Sequence, residues 1–81
     1  MENYNSLSNL AISDSGFVFN PLNGDSFTLN PTAQFILKNL KENKLKDEIV
    51  DLLEENFDVE RSDAEIDFDY FLSQLSMYKL L

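Results

Sequence analysis

The chain has no cysteine and no histidine, and only two glycines and two prolines among its 81 residues. The lack of cysteine removes disulfides, thiol chemistry and thiolate metal sites. The lack of histidine removes imidazole acid–base catalysis and the commonest metal ligand. There is no basic stretch at the start and no long apolar run anywhere. Neither a signal peptide nor a membrane-spanning helix is expected. Together with the missing disulfides, this makes a cytoplasmic address the expectation. Basic side chains are also scarce: six Lys and Arg stand against fifteen Asp and Glu, a formal net charge of −9. Such a chain repels phosphate backbones and anionic membranes on average, so neither nucleic acid nor membrane is an expected partner. A partner with a basic segment gains in rate and specificity. Plain solubility is the simpler use of the same charge.

The length implies one domain, residues 9–81, behind a flexible arm at 1–8. A chain this short buries roughly 60–65% of its potential surface, so its stability margin is thin. Seven Phe and many Leu are available for one small core.

The stretch from Phe27 to Leu37 organises the rest. Its apolar period changes there from two residues to the helical repeat. Phe27 and Leu29 point the same way off a short strand. Asn30 can cap a helix, and Pro31 suits the first helical position, where its missing N–H costs nothing. Before this junction, Leu10 and Ile12 suggest a strand at about 9–13, and Asp14-Ser15-Gly16 a turn. Phe17 and Phe19 share one face of a second strand, with Val18 on the other. Asn23-Gly24 is a hairpin signal that joins the second strand to the third. Three such short strands are unstable alone and need helices to cover them.

The first helix is expected over about 31–40, with Ala33, Ile36, Leu37 and Leu40 inward and Asn43 as a stop or as the next cap. The second is expected over about 46–56. Ile49, Leu52 and Leu53 face inward, Val50 flanks them, and Leu45 is a poor cap. Phe57-Asp58-Val59 reads as an extended link. Ser62 and Glu65 form a capping box for a third helix reaching about Tyr78. Its apolar face holds Ala64, Phe68, Phe71, Leu72 and Leu75, with Phe71, Tyr70, Met77 and Tyr78 expected to be partly exposed. Leu80-Leu81 is expected to line the core or a groove. The fold class is therefore α+β, three N-terminal strands followed by three helices, in a winged helix-turn-helix-like arrangement.

That arrangement raises duplex binding, but the residues oppose it. A recognition helix needs Arg, Lys, Asn or Gln at base edges, and the third helix carries Asp63, Glu65, Asp67 and Asp69. A basic face would require Lys38, Lys41, Lys44 and Lys46 to come together. Carboxylates are plentiful, yet none sits in a pattern that marks a catalytic pair, and no metal-ligand spacing or phosphate-cradling glycine run is present. No enzyme activity and no cofactor are expected. What remains is recognition through structure. The third strand, Ser26–Leu29, lies at a sheet edge that can accept an added strand. The third helix supplies a wall, and Asp63, Glu65 and Asp67 at its rim suit a basic peptide. A structural homodimer with Leu7, Leu10 or Leu81 at its seam is the alternative, beside a small winged-helix transcription or assembly protein.

Three runs carry a family resemblance. They are Phe17-Val18-Phe19-Asn20 with Gly24 through Leu37, Glu48 through Leu53 with Phe57-Asp58-Val59, and Asp67 through Leu75 with Leu80-Leu81. Over about residues 10–81 the chain resembles the PqqD-like family of small peptide chaperones, also called RiPP recognition elements. The chain departs from that family at Asn43-Lys44-Leu45, where members often have Gly and then Ser or Thr. The resemblance implies a non-catalytic protein that binds the leader of a ribosomally made precursor peptide as an extra strand. It then presents that peptide to a modifying enzyme such as a radical SAM protein. Products of such pathways include pyrroloquinoline quinone, lasso peptides and thioether peptides. Carried onto this chain, the peptide site comprises Ser26, Phe27, Thr28 and Leu29 on the third strand. On the third helix it takes Ala64, Asp67, Phe68, Phe71, Leu72 and Leu75.

Overall fold

The structure, a computed structural model, describes Leu7 and residues 9–22 and 24–78. Three strands come first: β1 (Ala11–Ile12), β2 (Phe17–Phe19) and β3 (Ser26–Thr28). Three helices follow: α1 (Pro31–Lys41), α2 (Lys46–Phe57) and α3 (Arg61–Met77). The expected order and fold class hold. The sheet is antiparallel in the order β1-β2-β3, which makes β3 an edge strand. Among the described residues no helix is long and apolar enough to cross a membrane.

Register decides which residues of the sheet reach the core. Ile12 pairs with Val18, and Val18 with Phe27, so the three form one row across the sheet. Val18 is buried and its two neighbours are half-buried against the helices. Phe17 and Phe19 share the opposite face, as their spacing requires, and stay 47% and 40% exposed. The core therefore takes few of the phenylalanines. Among the described residues only Phe68 and Phe71 are buried, with aliphatic side chains from all three helices around them.

The sheet is fastened to α1 at the β1–β2 turn. Gln34 donates from Nε2 to the carbonyls of Ser13 and Asp14, at 3.2 and 3.1 Å. Gly16 lies in the same turn with φ +88°, and its carbonyl accepts from the Leu29 N–H at 2.8 Å. A Cβ at Gly16 would lie 2.5 Å from the Leu29 oxygen. β3 then runs into α1 through Asn30, whose Oδ1 accepts from the Ala33 N–H at 2.8 Å, with Pro31 in the first turn. The β2–β3 connection is closed by Gly24 N–H to the Asn20 carbonyl and Asn20 N–H to the Asp25 carbonyl, both 2.8 Å. Gly24 has φ +81°. Asn23 lies outside the described residues, as do Leu80 and Leu81.

Several local expectations change. Leu7, assigned to a flexible arm, is fully buried, and Leu10 is 2% exposed. Both serve the core of their own chain rather than a seam between copies; the rest of that arm lies outside the described residues. α1 runs one residue further than expected and stops where Asn43 takes a positive φ of 64°. Asn39 is buried on α1 because its amide is satisfied twice, by the Phe35 carbonyl and by Lys44 Nζ, each at 2.8 Å. Leu45 offers no capping acceptor, but Glu48 Oε1 reaches back to its N–H at 3.0 Å. In α2, Val50 is buried and Leu52 is only partly so, the reverse of the expected roles.

The start of α3 differs most. Ser62 is not its cap: the helix begins one residue earlier, behind Glu60, whose carbonyl accepts from Ala64 N–H at 2.9 Å. The link to α2 is not extended throughout, because Phe57 ends α2 and Asp58 takes a left-handed φ of 52°. Charge explains the earlier start. Arg61 reaches back across α2 to Asp51 and to Glu54, at 3.0 Å for the latter, with Asp47 at 3.7 Å. These contacts hold its guanidinium above its ordinary pKa, chiefly through the Asp51 hydrogen bond, against a smaller desolvation effect. They draw Arg61 into the first turn, and Ser62 is carried inside the helix with it.

The two glycines separate conformation from contact. Gly24→Ala loses about 1–2 kcal/mol from the positive φ alone, since nothing lies within 4 Å of its added Cβ. Gly16→Ala carries the same backbone cost plus the clash with Leu29, so urea unfolding of the pair is expected to show the larger loss at Gly16. Equal losses would mean that the Leu29 contact relaxes freely.

Candidate functional site

β3 leaves one set of backbone groups unpaired. Gly16 with Leu29 and Asn20 with Asp25 are hydrogen-bonded rungs, and Val18 with Phe27 falls midway between them. In an antiparallel pair alternate residues turn toward the partner strand and away from it. Phe27 therefore directs its N–H and C=O to β2. Ser26 and Thr28 direct theirs outward.

That outward edge faces α3 across a cleft of about 280 Å³. Phe27, Thr28, Leu29 and Asn30 line one side; Tyr70, Phe71, Gln74, Leu75 and Tyr78 line the other, and Ala33 lies between them. A shallower continuation of about 110 Å³ runs along the start of α1, past Thr32, Ala33 and Ile36, to Asp67. The groove thus has two different ends. At one, the Phe27 and Tyr78 rings stack with centroids 5.2 Å apart and planes 6° from parallel. At the other, Asp67 contributes the only formal charge of the lining residues, and it is negative.

The ten residues expected here fall into distinct groups. Phe27, Thr28, Leu29, Phe71 and Leu75 line the main cleft, and Asp67 lines its continuation. Ser26 is exposed on the edge itself. Ala64 and Phe68 are buried in the core and line neither part of the groove, and Leu72 is half-buried outside it. Phe71 is not partly exposed as expected; at 2% exposure it is the floor of the groove, packed into the core from below. Tyr70 and Tyr78 do stand out, at 64% and 55%. Of the acidic rim, only Asp67 lines the groove.

Asn30, Thr32, Ala33, Ile36, Gln74 and the two tyrosines complete the lining without having been singled out for it. A sequence signal for the α3 members exists. Asp67, Phe71, Gln74 and Tyr78 recur at helical spacing, one position round from the core stripe of Ala64, Phe68, Phe71 and Leu75. Phe71 belongs to both stripes, which is why it is buried and yet faces the cleft.

The basic face needed for duplex binding is not assembled. Lys44 pairs with Glu42 and Lys46 with Asp69, each at 3.0 Å, and Lys46 also lies 5.7 Å over the Phe68 ring. Lys41 donates to the Leu10 carbonyl at 2.6 Å on the far side of the sheet. No group of three or more Asp, Glu, His or Cys side chains among the described residues is placed to hold a metal ion. The chemistry available is that of a binding surface: an open strand edge, an aromatic and aliphatic wall, and one carboxylate.

Comparison with known proteins agrees with this fold. The family model described as "Coenzyme PQQ synthesis protein D (PqqD)" matches residues 16–81. No curated protein matches the chain. Two solved structures do. "TbiB1 in Complex with the TbiA(beta) Leader Peptide" is 30% identical, with a TM-score of 0.77 over 89% of this chain and 85% of that one. "Lasso peptide synthetase B1 complexed with the leader peptide" is 27% identical, with a TM-score of 0.73 over 85% and 82%.

Floor and rim residues of the groove differ in what they support. Phe71→Ala is expected to cost about 3–5 kcal/mol, a large part of the stability of so small a fold. Tyr70→Ala should stay within about 0.5 kcal/mol. Urea unfolding of both variants checks this, and a mild effect at Phe71 would contradict its place in the core.

Proposed function

The chain belongs to the PqqD family, and from that premise we propose that it binds the leader segment of a ribosomally made precursor peptide and presents it to a modifying enzyme. The leader lies along β3 as a fourth strand, in the groove against α3. One observation carries this reading: Ser26 and Thr28 turn their N–H and C=O groups outward, and the Thr28 end of that edge opens onto a cleft with an apolar wall. A strand added there draws affinity from its backbone and selectivity from the side chains that enter the cleft. Phe27, Leu29, Tyr70, Gln74, Leu75 and Tyr78 receive those side chains over the Phe71 floor, and Asp67 favours a basic residue at its end. The role is non-catalytic. Holding the leader beside the enzyme raises the effective concentration of the segment to be modified.

The two solved relatives with bound leaders, one of them a lasso peptide synthetase component, support a lasso-type precursor and its maturation enzymes as partners. The family description supports another assignment, coenzyme PQQ synthesis, and the radical SAM partner is what the family resemblance implies for it.

Thr28→Pro tests the strand-addition reading. Proline removes an N–H that β2 does not use, and edge positions tolerate it. Titration calorimetry with the leader encoded beside the chain's own gene is expected to show affinity falling about tenfold or more, with the melting temperature nearly unchanged. Full affinity in a folded Thr28→Pro variant would sink the proposal. Amide shifts confined to Ser26–Leu29 and the groove side of α3 are the accompanying NMR signature.

A further inference from the structure

The sheet has a second edge, and its chemistry is opposite to that of the groove. The β1 edge faces the C-terminal half of α1 across an open cleft of about 520 Å³, lined by Leu10, Ala11, Ile12, Lys38, Lys41 and Glu42. Lys38 and Lys41 stand one helical turn apart on the same side of α1. Elsewhere the described cations are committed to carboxylates: Lys44 to Glu42, Lys46 to Asp69, and Arg61 to Asp47, Asp51 and Glu54. The Lys38 side chain makes no hydrogen bond or ion pair among the described residues. Lys41 holds only the Leu10 carbonyl. Glu42, the one carboxylate of this cleft, is paired with Lys44. In a chain of net charge −9, this edge is where, among the described residues, positive charge is left without a carboxylate partner.

Among the described residues its backbone is also without a partner strand. The Ser13 N–H donates to the Phe17 carbonyl, which makes that pair a rung and leaves Ile12 between rungs. By the same alternation as in β3, Ile12 turns its N–H and C=O outward, and so does the carbonyl of Leu10 that Lys41 occupies.

We propose that the β1 edge, with Lys38 and Lys41, is a second docking surface whose occupant is an extended, carboxylate-bearing segment of the enzyme that receives the leader. The identity of that partner rests on the leader-binding reading; the surface and its charge preference do not. A carboxylate of the incoming strand takes Lys41 Nζ, and an N–H of the same strand takes the vacated Leu10 carbonyl. Ile12 supplies the next pair of backbone bonds, and Lys38 meets a second carboxylate. The net negative charge does not forbid this. Screening confines charge effects to about 8 Å at physiological salt, so the two lysines at contact outweigh more distant carboxylates. The two edges of the sheet lie two strand spacings apart, about 10 Å, so leader and enzyme can be held together.

The test uses the intact chain, isotope-labelled, with a capped synthetic peptide of alternating glutamate and valine as probe and its lysine–valine counterpart as control. The expected result is amide shifts at Leu10–Ile12, Lys38 and Lys41 with the acidic probe alone, weakened about tenfold by the Lys38→Gln/Lys41→Gln pair. Lys38→Gln by itself, at a side chain with no partner to lose, is expected to weaken binding about threefold in an unaltered fold. No shifts at millimolar probe, shifts that survive the double substitution, or shifts at Ser26 and Thr28 instead would overturn the proposal. A leader titration reports on Ser26–Leu29, so failure of the groove reading appears at different resonances from failure of this one.

Discussion

The register of β3 against β2 is the constraint on which the rest depends. It is pinned at both ends by backbone bonds, Leu29 to Gly16 and Asn20 to Asp25. A slip by one residue would turn Phe27 out of the core, and Ser26 and Thr28 would spend their N–H and C=O groups on β2. The groove would then have a wall and no strand edge. Gly16 guards this arrangement because its missing side chain leaves room for the Leu29 carbonyl. Gln34 adds a second tie, from α1 to the same turn. Sheet, helix layer and groove therefore share one anchor.

α3 divides its circumference among three tasks. Ala64, Phe68, Phe71 and Leu75 enter the core, and Asp67, Tyr70, Gln74 and Tyr78 face the groove. Ile66 and Met77 remain exposed, at 64% and 80%. A helix so used has no single apolar side. Its orientation comes from contacts at either end: the carboxylates of α2 around Arg61 at the start, and the Phe27 ring against Tyr78 at the close. The first set is exposed and adds direction more than strength. The buried stripe between them supplies the strength.

Much of this was legible in the residues because local and global preferences coincide. Asn30 and Pro31 mark a helix start in any context, and α1 begins there. Alternation around Val18 and the glycine at position 24 define the hairpin. Other features answer to distant partners that no local pattern encodes. Ser62 and Glu65 look like a capping box, but Arg61 finds its carboxylates on the preceding helix and the cap moves upstream. Phe71 reads as a rim residue, yet it belongs to the core stripe and the groove stripe of α3 at once, which sets it under the cleft. Asn39 is buried because Lys44, five residues on, folds back to its side chain. The groove lining from α1 was the least visible part, since Asn30 already had a sufficient role as the helix cap, and Ala33 and Ile36 as part of its inward face.

The shortness of β3 bears on how long a bound peptide remains. Two outward residues present four backbone groups, each hydrogen bond adding roughly 0.5–1.5 kcal/mol net of water. The helix that follows at once from Asn30 prevents the ladder from growing past that number. In the proposed strand addition, residence time is thus limited by geometry, and side-chain fit tunes dissociation around that backbone contribution. A carrier built this way can surrender its cargo after each turnover without an energy source or a conformational trigger. A longer edge strand would grip harder and become a sink for the peptide it is meant to pass on.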